Sequence, residues 1–210
     1  QYIEVILDRS YSNIKKFQKE HFKADLSEED RIRGMELLEI QRQALLMYTS
    51  CGWFFSEISG IETVQIMKYA ARAMQLAARF SNEDFEDHFL EILAQAKSNI
   101  QEYGTGRDIY ERFVRPSVVT AKQIACLWAI SSLYQDFEEE EEVYCYTVKQ
   151  DDYQRVEKSN SNFVIGHIEI RSKVTLQRVD LMFALMQYSD GDFHCAIKEF
   201  SSNEEYQNLK

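Results

Sequence analysis

The chain has 210 residues, enough for one domain of ordinary size or for a larger and a smaller one. Hydrophobic residues make up 45% and charged residues 28%, so a packed core is expected rather than disorder, and only seven glycines and one proline disfavour loop-rich or collagen-like architectures. The net charge of -11 argues against a nucleic-acid partner, whose phosphates demand a basic surface, and no apolar run approaches the ~20 residues that span a bilayer. The first residue is Gln1 rather than Met, and no signal peptide precedes it, so the chain reads as an internal segment of a longer cytoplasmic protein. Cys51, Cys126, Cys145 and Cys195 show no CxxC spacing and lie in apolar or aromatic surroundings. They are expected to be reduced, buried thiols, with Cys145 to Cys195 as the bridge to expect if any forms.

Five helical stretches are expected before residue 136. The first covers 2–20, with Ser10 and Ser12 weakening its middle. The second starts at Ser27, where Ser27-Glu28-Glu29-Asp30 resembles a capping box. Its apolar face is expected to be Leu37, Ile40, Ala44 and Met47. After the break at 51–60, a third helix over 61–80 carries Ala70, Ala71, Ala73, Ala77 and Ala78; such small residues let neighbours approach closely, so this helix is expected to be central. A fourth is expected over 83–102, ended by Gly104-Thr105-Gly106, and a fifth over 118–134, with Pro116 near its first turn and Trp128 among Ile124, Leu127 and Ile130.

Charge and periodicity both change near residue 136. Residues 1–135 carry 16 basic and 19 acidic side chains, net -3, whereas 136–210 carry 8 and 16, net -8. The run from Asp136 to Glu142 is expected to be a solvated acidic linker. Beyond it the apolar period falls towards two, giving strands at Val143–Val148, 162–170 and 174–186, and a hairpin over 179–199 turning at Ser189-Asp190-Gly191. The expected fold class is therefore α+β: a helical bundle over 1–135, a linker over 136–142, and an antiparallel sheet over 143–210 forming a partial sandwich.

Phosphate-binding, zinc-protease and nucleophile-elbow signatures are absent, and Gly104-Thr105-Gly106 reads as a helix cap rather than a phosphate loop. His21, His88, His167 and His194 show no ligand spacing, so no metal and no cofactor are expected. His167 and His194 can approach only if their strands pair suitably. No catalytic residue is assigned, because no two carboxylates share an apolar setting as a glycosidase would need. The segment Thr49–Glu62 differs. Trp53, Phe54 and Phe55 follow a glycine and precede Ser56, Glu57 and Ser59. Aromatic faces stack on sugar rings while nearby carboxylates bond sugar hydroxyls, the usual make-up of a small-ligand site. The alternative is an interhelix plug with all three rings buried.

Three stretches carry a resemblance: Ala44-Leu45-Leu46-Met47-Tyr48-Thr49-Ser50-Cys51-Gly52-Trp53-Phe54-Phe55, Ile58-Ser59-Gly60-Ile61-Glu62-Thr63 and Lys68-Tyr69-Ala70-Ala71-Arg72-Ala73. Together they resemble an uncharacterised helical domain that follows the catalytic barrel in some bacterial family 57 glycoside hydrolases, the alpha-amylase/alpha-mannosidase-like ones. The likeness is clearest over 27–135. The stretch Thr49–Phe55 is also similar to that family's last motif, Ser-Asp-Trp-Pro-Phe, whose tryptophan faces the glycan. Here Gly52 stands in the Asp position and Phe54 in the Pro position. The resemblance implies a non-catalytic accessory domain packed on the barrel of the same parent chain. It would lend Trp53, Phe54, Phe55 and Glu57 to a cleft for an oligosaccharide or polysaccharide. The competing expectation is a helical protein–protein interaction module. Half-exposed rings in a cleft favour sugar, and a flat apolar patch favours a protein.

Overall fold

A computed structural model describes residues 2–158, 161–188 and 191–209. Helices come first: α1 (Tyr2–Leu7), α2 (Tyr11–His21), α3 (Glu28–Leu46), α4 (Ile61–Ala77), α5 (Phe85–Leu93), α6 (Gly106–Ile109) and α7 (Ala121–Ser131). Strands β1 (Glu140–Val143), β2 (Tyr146–Lys158), β3 (Ser161–Ser172), β4 (Arg178–Gln187) and β5 (Phe193–Glu199) follow, and α8 (Asn203–Leu209) closes the order. The chain divides into two compact units, one of Ile3–His21 with Val119–Lys210 and one of Phe22–Val118. The expected single bundle over 1–135 is therefore corrected: α2 and α7 fall in the same unit as the sheet, and the apolar residues of α7 pack on its strands.

In the sheet unit, five antiparallel strands run in the order β1-β2-β3-β4-β5. This is one sheet between helices, not the expected partial sandwich. Val164, Ile168 and Ile170 of β3 and Leu181, Phe183 and Leu185 of β4 pack with Ile124, Ala125, Trp128, Ala129 and Leu133. The intervening residues point to the opposite face, where Ile165 and Met182 pack with Tyr206 of α8 and with Phe163, Ala184 and Phe200. Gly166 is required by packing: a Cβ there would lie 2.4 Å from the Phe183 ring. Trp128 stacks on Phe137 (5.0 Å between centroids) and meets Tyr153 and Phe183 edge-on. Tyr153 Oη and Arg155 Nη1 donate to the carbonyls of Ser132 and Leu133, satisfying groups freed at the end of α7.

The acidic run is not wholly linker. Glu140, Glu141 and Glu142 lie in β1, paired with Lys149, Val148 and Thr147. Charges suit an edge strand, which must discourage further pairing. The stretch read as one strand, Val143–Val148, turns back at Tyr144-Cys145, where Tyr144 takes φ 55° without any glycine to signal it. At the expected turn between β4 and β5, Ser189 and Asp190 lie outside the described residues, while Gly191 has φ 89°.

The helical unit is built around α4, as its alanines suggest: Val64, Met67 and Ala71 pack with Leu90, Ile109, Tyr110 and Val114. The predicted start of α3 is observed, with Asp30 N–H donating to Ser27 Oγ at 3.0 Å. Its expected apolar face is not. Leu37 is exposed, and Met35, Glu36, Glu39 and Gln43 are buried. Arg79, just past the end of α4, ion-pairs with Glu36, which makes that burial tolerable; burial still raises the Glu36 pKa against the pull of Arg79. The helix expected over 83–102 stops at Leu93, and Lys97 bridges Thr105 instead. Gly106 allows that return, since a Cβ there would meet Leu93 at 2.8 Å. Similarly, the expected helix over 2–20 breaks at Asp8–Ser10, where Asp8 Oδ1 accepts from Ser10 N–H at 2.9 Å.

Because Trp128 is enclosed by three rings, Trp128→Ala should cost about 3–5 kcal/mol. The melting temperature of the sheet unit should then fall by roughly 6 °C or more. Thermal melts of the variant followed by near-ultraviolet circular dichroism measure this.

Candidate functional site

The aromatic segment begins where α3 ends. Thr49 Oγ1 donates to the Leu46 carbonyl at 2.9 Å, and a 3-10 turn over Ser50–Gly52 follows. The N–H groups of Trp53 and Phe54 both donate to Ser50 O, at 3.0 and 2.8 Å, so the backbone that presents the rings is fixed by the turn. Gly60 then caps α4, with Glu62 in its first turn, where the helix dipole favours a carboxylate.

The rings are not a buried plug. Trp53 is 75% exposed, Phe54 70% and Phe55 49%. Phe54 and Phe55 meet edge to face at 5.2 Å, the favoured arrangement for paired rings. Leu45, Tyr48 and Ile61, which flank the segment in the chain, are also exposed.

Glu57 takes a different part from the other three. Its Oε1 accepts from Ser59 N–H and Ser98 Oγ, both at 2.7 Å, and its Oε2 accepts from Asn99 N–H at 2.8 Å. Three of roughly four acceptor positions are therefore used within the unit. Asn99 Nδ2 also donates to Ser56 O. The Ser98 hydroxyl first, then the Ser59 N–H, hold the Glu57 carboxyl down to about 2. Glu57 is a pin joining the aromatic loop to the 98–99 loop, and sequence reasoning could not see that role because Ser98 and Asn99 lie 41 and 42 residues away.

In the sheet unit, a cavity of about 480 Å³ is lined by Arg9, Tyr11, Glu140, Glu142, Arg171 and Lys173 among others. Four of its charges form two ion pairs, Arg171 with Glu140 at 3.3 Å and Lys173 with Glu142 at 2.7 Å. The glutamate run thus supplies ion-pair partners.

His167 and His194 do not come together. His167 is opposite Met182 on β4, whereas His194 of β5 is opposite Met186. His167 instead joins Asp151 and Asp180, with one potential ligand atom of each within 4.8 Å of the others. This trio comes from three strands and has no linear spacing to reveal it. All four thiols are free, as expected, but none is fully buried. Cys51 and Cys145 are exposed, and Cys195 neighbours Cys126 rather than Cys145, with its pKa raised by burial and then by Cys126.

A family model described as Domain of unknown function (DUF3536) matches residues 1–210. No curated protein and no solved structure matches. No helix among the described residues is long and apolar enough to cross a membrane.

The pinned carboxylate predicts a pH dependence. The folded pKa of Glu57 lies below its ordinary value of 4.5. Its stabilisation is therefore complete above about pH 4.5 and is lost as pH falls towards about 2. Melting temperatures of the native chain and of Glu57→Gln, recorded over that range, should converge as the pH is lowered.

Proposed function

The chain belongs to the DUF3536 family, and from that premise we propose that it is a non-catalytic accessory domain of a family 57-like glycoside hydrolase. It packs against the catalytic barrel of the same parent chain and contributes Trp53, with Phe54 and Phe55, to the edge of a glycan cleft. Glu57 acts by holding the aromatic loop in place. The observation that carries this reading is the exposure of three consecutive large aromatic rings on a backbone that is hydrogen-bonded into one shape. Each exposed ring forgoes a burial gain of about 1.5–3 kcal/mol, so a surface of this kind is suited to covering by a partner or ligand. A rigid platform loses little entropy on binding, and flat aromatic faces complement the C–H faces of sugars.

A second reading, a helical module that docks a protein without any sugar, draws on a further observation. Leu45, Tyr48 and Ile61 are 73%, 80% and 79% exposed, so the apolar character extends beyond the three rings. The two readings differ in what loss of one ring does to catalysis.

Trp53→Ala should shift the melting temperature of this chain by no more than about 2 °C, as surface changes do. In the parent enzyme the same substitution should raise KM for a malto-oligosaccharide. An unchanged KM and kcat alongside weakened barrel packing would favour the protein-docking module, and a melting loss as large as that of Trp128→Ala would restore the plug.

A further inference from the structure

The α8 face of the sheet holds one histidine whose environment hydrogen bonding does not account for. His167 sits near the middle of β3, between Asp152 on β2 and Met182 on β4. Its ring lies flat on Phe200, with centroids 3.9 Å apart and planes at 13°, and Tyr206 packs 5.9 Å away. These contacts fix the ring orientation. The Nε2 atom is buried from water and has no hydrogen-bond partner among the described residues. Its nearest charged neighbour is Asp180 Oδ1 at 3.8 Å, too far for a hydrogen bond. A buried nitrogen left so is costly, and such cases call for a physical reason.

The separation suits two atoms that share a metal ion. With metal–nitrogen and metal–oxygen bonds near 2.1 Å, ligand atoms at a tetrahedral angle lie roughly 3.4 Å apart. The third group is delivered by backbone irregularity. The pairing of β2 with β3 shifts register between Gln150 and Asp152, so Asp151 is an extra residue in β2. Adjacent residues of a regular strand face opposite sides, and a bulge relaxes that rule. The outcome is that Asp151, His167 and Asp180 bring ligand atoms within 4.8 Å of one another. Lys149 Nζ lies 2.8 Å from Asp151 Oδ1, which leaves the second carboxylate oxygen for another partner.

We propose that Asp151, His167 and Asp180 form a binding site for one divalent transition-metal ion of the zinc class. One imidazole and two carboxylates suit such an ion, whereas calcium and magnesium prefer oxygen ligands throughout. Two negative ligands balance the ion's charge. Both aspartates are exposed, so a fourth position opens to water, as in sites with three protein ligands. The ion ties β2, β3 and β4 together at the bulge, the least regular point of their pairing.

The test is titration of the metal-free 210-residue chain with zinc chloride by calorimetry, with cobalt(II) absorption as a second readout of tetrahedral coordination. The expected result is one ion per chain at micromolar or tighter affinity, and a raised melting temperature with zinc. Asp151→Asn and Asp180→Asn preserve shape and should each weaken binding at least about tenfold. They avoid the risk that His167→Ala, by unstacking Phe200, disturbs the fold. His88→Ala and His194→Ala should leave binding unchanged. Absence of binding in the native chain, binding that survives both aspartate substitutions, or binding lost with His88 or His194 would overturn the assignment.

Discussion

The alternation of side chains along β3 and β4 is the constraint on which the sheet unit depends. Val164, Ile168, Ile170, Leu181, Phe183 and Leu185 all reach one face, and that face accepts α7 with Trp128 at its centre. A slip of one residue in register would turn this set to the other side and present His167, Glu169 and Asp180 to the apolar helix. The same alternation therefore settles where the polar groups go. It delivers His167 to the α8 face, where Phe200 and Tyr206 surround it. Gly166 belongs to this arrangement, because only its missing side chain lets the Phe183 ring lie across β3.

In the helical unit the corresponding constraint is the satisfaction of buried or committed carboxylates. Glu36 is wholly buried and depends on Arg79. Glu57 depends on Ser59, Ser98 and Asn99. The second network matters most for the proposed role. It makes the loop that carries Trp53, Phe54 and Phe55 rigid while leaving the rings themselves in solvent. Rigidity and exposure usually oppose one another, since exposed apolar groups gain nothing from being fixed. Their combination here fits a surface shaped for something that covers it.

What the sequence made legible was governed by local rules. The Ser27 cap, the alanine-rich α4 and the alternating β3, β4 and β5 follow from spacing alone. What stayed hidden depended on residues distant in the chain. The buried polar face of α3 requires Arg79, over forty positions away from Glu36. The early end of α5 depends on the return from Lys97 to Thr105 and on the close approach at Gly106. The hairpin at Tyr144-Cys145 has no turn residue to mark it, because Tyr144 adopts a left-handed conformation that glycine or asparagine normally fills. The trio of Asp151, His167 and Asp180 required both strand register and a bulge. Of the candidate site, the three rings were readable as a segment, but Glu57 could be read only as an acidic neighbour, since its work is done with residues 98 and 99.

The proposed role rests on the aromatic loop being covered in the parent protein, and acrylamide quenching of tryptophan fluorescence measures that directly. The chain has two tryptophans, of which Trp128 is buried and Trp53 is exposed. In the isolated chain with Trp128→Phe, the remaining emission should be quenched nearly as readily as that of free tryptophan. The parent protein, with its other tryptophans replaced by phenylalanine, should show Trp53 protected, and further protected by added oligosaccharide. Equal quenching of Trp53 in the isolated chain and in the parent, with and without oligosaccharide, would contradict the account.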